Sequence, residues 1–117
     1  MRNINAKVSG YRKMVLFVMF DISTETKKDL EKYRKFRKKL LDFGFIMFQY
    51  SVYVRFCNSL VIAQKYEKKI EDIAPTNGSI RIMKITESQY SNMITIENYR
   101  EKPEEKVAQQ GQTFMVF

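Results

Sequence analysis

At 117 residues the chain is one domain, with room for a single modest core and not for two. Hydrophobic residues make up 44% of it, nine Phe and seven Tyr among them, so a folded globule is expected. The 21 Lys and Arg against 13 Asp and Glu leave a net charge of +8, and the absence of histidine excludes His-based acid–base catalysis, Ser-His and Cys-His nucleophiles and His-ligated zinc.

Residues 1–12 read as a flexible basic leader, with Arg2, Lys7 and Arg12 as charges and Gly10 as a break. The first ten residues are polar and show no signal-peptide core. The run Met14-Val15-Leu16-Phe17-Val18-Met19-Phe20 is rich in β-branched and aromatic types and too short to cross a membrane. It reads as a strand buried on both faces, since a strand with one wet face would alternate. Asp21 follows at once. A carboxylate at the mouth of a central strand is costly to desolvate, so it needs a partner, a metal or water. Without histidine, any hydrolysis here must run on carboxylates and a hard metal such as magnesium, and Asp21 is the one residue that position alone marks as chemical.

Ser23, Thr24 and Thr26 offer caps for a helix, and Leu30, Tyr33, Phe36, Leu40 and Leu41 recur at helical spacing up to Phe43, with Gly44 as the stop. Lys28, Lys32, Lys35 and Lys39 stack in steps of four, three and four opposite the apolar stripe, with Lys27 beside them. No acid interrupts that row. It is either a solvated face or a set of phosphate contacts, and the charge of the chain raises the second reading, so Lys27, Lys28, Lys32, Lys35 and Lys39 are the candidate nucleic-acid-binding residues. Arg37 falls within the stripe and either snorkels to its edge or pairs with a carboxylate, Asp21 being the obvious one.

Phe45 to Cys57 is strongly β-prone, and its length together with Gln49 and Ser51 predicts two short strands at a tight bend or one bulged strand. Tyr50, Val52, Val54 and Phe56 share one face; Ser51, Tyr53, Arg55 and Cys57 share the other. Cys57 is the only cysteine, so no internal disulfide forms, which fits a reducing cytoplasm; it reads as a small buried hydrophobe. Asn58-Ser59 caps a second helix carrying Ile62, Tyr66, Ile70 and Ile73, ended by Ala74-Pro75. Ser79 to Thr86 is a strand, Glu87 to Asn92 makes a helical turn, and Met93 to Ile96 resumes as a strand. Residues 98–111 form a polar linker and 112–117 a closing β-prone segment that should pair with this sheet or a partner's.

The order is the ferredoxin-like βαββαβ plan of an α+β domain over residues 13–97, with additional C-terminal strands. So much apolar β sequence leaves one sheet face to cover, and a homodimer packed through the sheets is the economical answer.

Five pieces, in order, resemble one family: Val18-Met19-Phe20-Asp21-Ile22; Tyr33-Arg34-Lys35-Phe36-Arg37-Lys38; Gly44-Phe45-Ile46-Met47; Gln49-Tyr50-Ser51-Val52-Tyr53; and Thr86-Glu87-Ser88-Gln89-Tyr90. The chain resembles CRISPR-associated protein 2, in the form found in type II systems, over roughly residues 11–97. The resemblance implies a homodimer whose C-terminal strand crosses to the partner. It further implies work with the CRISPR integrase in spacer acquisition, the dimer supporting double-stranded DNA at the centre of the complex. Several members are also described as magnesium-dependent ribonucleases or deoxyribonucleases. There the aspartate matching Asp21 faces its symmetry mate, and one shared Mg2+ activates water. Asp21 is otherwise a structural charge near the first helix or the partner of Arg37, with Arg37 and Ser51 in supporting roles. A sheet-surface RNA binder of the RRM type is disfavoured, because Ser-Val-Tyr-Val-Arg-Phe lacks the glycine that module needs.

Overall fold

The computed structural model describes residues 12–97. The leader up to residue 11, the 98–111 linker and the 112–117 segment lie outside the described residues. Within them run β1 (Met14–Ile22), α1 (Lys27–Asp42), β2 (Ile46–Gln49), β3 (Val52–Cys57), α2 (Leu60–Ile73), β4 (Gly78–Thr86) and the short α3 (Glu87–Ser91).

β1 is the centre of a four-stranded antiparallel sheet in the order β2-β3-β1-β4. It pairs with β3 from Met14 opposite Cys57 to Met19 opposite Val52. Its pairing with β4 runs the whole way from Met14 opposite Thr86 to Ile22 opposite Gly78. Alternation then sends Met14, Leu16, Val18, Phe20 and Ile22 to the helix side, where they pack with Phe36 and Leu40 of α1 and Ala63 and Ile70 of α2. Val15 and Phe17 point the other way, into a smaller cluster with Val54, Phe48 and Tyr90. Burial on both faces, expected from the unbroken apolar run, is therefore observed. Each fully buried Val or Leu of β1 contributes about 1.5–3 kcal/mol relative to exposure. This is the ferredoxin-like plan.

The helix ends follow their caps. The Thr26 hydroxyl accepts from the Asp29 amide at 3.0 Å, and Ser59 accepts from Ile62 at 3.2 Å. Gly44 at φ +89° lets the chain leave α1, and Pro75 follows the end of α2. Between β2 and β3 both sequence expectations hold at once: two strands meet at a tight turn with Ser51 at φ 61°, and the register slips between Met47 and Gln49.

Two expectations change. Met93 to Ile96 form no strand: they pair with no strand among the described residues, and Ile94 and Ile96 are 85% and 83% exposed. The outer sheet face is also not left wholly to a second chain. α3 folds onto it, and the Tyr90 ring meets Phe17, Phe48 and Phe56 at centroid distances of 6.1, 6.1 and 5.1 Å. Ile46, Phe56 and Met83 remain substantially exposed. No helix among the described residues is long and apolar enough to cross a membrane.

Candidate functional site

Asp21 shares the parity of Val15 and Phe17, so its side chain leaves the sheet on the face away from α1 and α2. It is exposed and sits opposite Ser79 of β4. The strands close tightly just beyond it: a Cβ on Gly78 would lie 2.5 Å from the Asp21 carbonyl oxygen, so glycine is required there. Asp21 lines two shallow clefts. One continues to Tyr50, Ser51, Ser79 and Arg81, the other to Ser23, Glu25 and Asn77.

Glu25, Ser79 and Arg81 went unnoticed in the sequence. They reach Asp21 only through the β1–β4 pairing and the loop after β1, which composition does not reveal. Asp21 and Glu25 line the second cleft together with Ser79, while the Ser23 hydroxyl there is donated to Asp29. No group of three or more metal-ligating side chains occurs among the described residues.

The nearby Asp29 is committed elsewhere. It accepts from Ser23 Oγ at 3.0 Å and Asn77 Nδ2 at 3.1 Å, tying the start of α1 to both flanking loops. The Ser23 hydrogen bond, helped by those from Thr26 and Asn77 against an opposing effect of burial, holds its carboxyl below the usual carboxylate range.

Arg37 does not pair with Asp21. Its Nε donates to the Tyr53 phenolic oxygen at 2.7 Å, because Arg37 lies on the helix side of the sheet and Asp21 emerges on the other. Ser51 lies in the same region, and its carbonyl accepts from the Phe20 amide at 3.1 Å. Burial, with the neighbouring Tyr50 and Tyr53, pushes the Tyr33 phenol up.

The lysine row is present but displaced. Lys32, Lys35 and Lys39 line the groove between α1 and the end of α2, beside Phe36, Ile73 and Pro75, rather than all standing opposite the apolar stripe. On the wheel Lys32 and Lys39 fall on the Phe36 side of the stripe, while Lys35 stands nearly opposite Tyr33 and still borders the groove. Lys27 and Lys28 are exposed in the first turn of α1. None of the five has a carboxylate within 4.0 Å among the described residues; the helix's one ion pair is Lys38 with Asp42 at 3.6 Å.

The sequence matches the family described as CRISPR associated protein Cas2 over residues 14–93, which takes in every strand and helix above. The chain belongs to the Cas2 family. Its role is thus CRISPR-associated. It is 42% identical over 110 residues to a CRISPR-associated endoribonuclease Cas2 of Flavobacterium psychrophilum, covering 92% of this chain and 94% of that protein. A Cas2 protein of the same description from Ligilactobacillus salivarius is 46% identical over 80 residues, 68% of this chain and 79% of the relative. One from Paracidovorax avenae is 36% identical over 107 residues, 92% and 99% of the two chains.

Proposed function

We propose that this Cas2-family chain is a basic, dimeric scaffold of CRISPR spacer acquisition, working in the cytoplasm and holding double-stranded DNA by its phosphates alongside the CRISPR integrase. The observation that carries this reading is the lysine row, whose five members have no carboxylate partner among the described residues. Lys27 and Lys28 sit at the positive end of the helix dipole, where the first-turn acid, Asp29, is engaged by Ser23 and Asn77 rather than by either lysine. Lys28 to Lys39 spans about 16 Å of helix axis, enough to follow several phosphates. Lysines acting as point charges hold a backbone without reading bases.

Dimer formation is supported by Ile46, Phe56 and Met83, which leave apolar area on the outer sheet face, and by β4, which pairs only with β1 among the described residues. The test is a gel-filtration and light-scattering run with and without mixed-sequence duplexes. The reading expects a particle of two chains that retains every duplex alike. A single-chain species, or retention of one sequence only, would overturn it.

A second reading rests on the Asp21 cleft and on the endoribonuclease named in the relatives. Asp21 and Glu25, or Asp21 from each of two chains, would hold Mg2+, which supplies an activated water for phosphodiester hydrolysis of RNA or DNA. Arg81, on the wall of the other cleft that Asp21 lines, offers a planar cation to the substrate phosphate.

A further inference from the structure

A second set of cations lies away from Asp21, where β3 passes beneath the C-terminal end of α1. The Arg55 guanidinium stacks 3.9 Å from the Tyr66 ring centroid. Its Nε donates to the Phe43 carbonyl at 2.7 Å and its Nη1 to the Phe56 carbonyl at 3.2 Å. Gly44 makes room for it, since a Cβ there would sit 3.3 Å from Arg55 Nε. Arg55 is thus fixed by backbone oxygens and one ring face, without a carboxylate. Lys69 lies 5.1 Å from the Tyr66 centroid and 5.3 Å from that of Phe43, and Lys65 lies 5.6 Å from Tyr66.

Three cations therefore crowd around two rings. Of the acids nearby in sequence, Glu67 turns to Lys84 at 3.0 Å and Asp42 to Lys38 at 3.6 Å, while Glu71 and Asp72, the latter on the same face of α2 as Lys65 and Lys69, make no ion pair within 4.0 Å among the described residues. Neither Lys65 nor Lys69 has a carboxylate within 4.0 Å among the described residues. Cation–π contacts offset part of that mutual repulsion, at about 0.5–1 kcal/mol for exposed sites, and an incoming anion would relieve the rest.

We infer that Arg55, Lys65 and Lys69 form a second phosphate-binding surface, continuous with the lysine row and contributed mainly by α2. Continuity follows from the packing. Lys69 stands one turn before Ile73, and Ile73 shares the inter-helix groove with Lys32, Lys35 and Lys39. The cations of the two helices thus flank one seam, and a phosphodiester backbone laid along it meets both sets. A nucleic acid fits better than an acidic peptide, because Arg55 already covers the Tyr66 ring and leaves an apolar anchor no seat. This inference rests on the scaffold reading and adds to it the helix that completes the contact.

The test compares the salt dependence of mixed-sequence duplex binding for the wild type, Lys65→Gln/Lys69→Gln, and Lys68→Gln as a neighbouring control on α2. Arg55 is left in place because it anchors the end of α1. Each lost phosphate contact should make the log–log slope about 0.9 shallower, so the double variant should lose roughly two units and the control almost none. A wild type that binds duplex, with a double variant of unchanged slope, overturns this inference and leaves the scaffold reading standing. Equal per-residue losses at Lys68 would reduce the effect to net charge and overturn the placement. A wild type that fails to bind duplex at all sinks both. A glutamate-rich peptide that binds the wild type but not the double variant, while duplex affinity is unchanged, would assign the surface to an acidic protein instead.

Discussion

Arg37 of α1 donates its Nε to the phenolic oxygen of Tyr53 at 2.7 Å, and Tyr53 is 1% exposed. The bond joins α1 to β3 and satisfies a phenol that the core closes off from solvent. Removing the donor strands that oxygen in the core, whereas removing the oxygen frees an arginine that can turn to solvent. Arg37→Leu should therefore cost about 1–3 kcal/mol and Tyr53→Phe only about 1 kcal/mol. Urea midpoints of both variants and of the double variant check this. A Tyr53→Phe loss larger than that of Arg37→Leu would contradict it.

Gly44 carries two constraints at one position. Its φ of +89° disfavours any side chain, and a Cβ would press on Arg55 Nε at 3.3 Å. Gly44→Ala should destabilise by about 1–2 kcal/mol through the backbone alone, with some further loss where Arg55 must shift. Thermal melting reads the change, and an unchanged or raised Tm would refute it.

Asp29 sets an expected acid limit. Its carboxyl is held below the ordinary carboxylate range when folded, so its contribution is present above the unfolded value near 4 and is lost as pH falls through the folded value. Asp29→Asn should lower Tm at neutral pH, and the gap to the wild type should close as pH drops below about 4. A gap that widens on acidification would show the sign to be wrong.

Asp21 separates the two functional readings. Asp21→Asn should abolish any magnesium-dependent cleavage of RNA or DNA while leaving thermal stability and duplex binding near wild type, because Asp21 is exposed and makes no hydrogen bond or ion pair through its side chain among the described residues. Cleavage that persists in the purified variant would remove Asp21 from the chemistry.

Much of this fold was legible because its signals are local. Thr26, Gly44, Ser59 and Pro75 mark helix ends by chemistry that needs no tertiary partner, and the apolar run of β1 announces a strand covered on both sides. What failed depends on relations between elements. Pairing Arg37 with Asp21 ignored the parity of β1, which puts Phe20 toward the helices and Asp21 away from them. Met93 to Ile96 carry β-prone residues, yet propensity supplies no partner edge. Ser79 and Arg81 join Asp21 only once β4 is laid against β1, Glu25 joins it through the loop after β1, and Lys32, Lys35 and Lys39 meet the end of α2 only once the two helices are packed together.

The lysine row belongs to a surface that should hold DNA by charge alone. The most direct measurement is the affinity of the full chain for a mixed-sequence duplex across a salt series. The five lysines of α1, engaged together, predict a log–log slope near −4 or steeper, from about −0.9 per phosphate. A slope close to zero, or no binding at low ionic strength, would contradict the account.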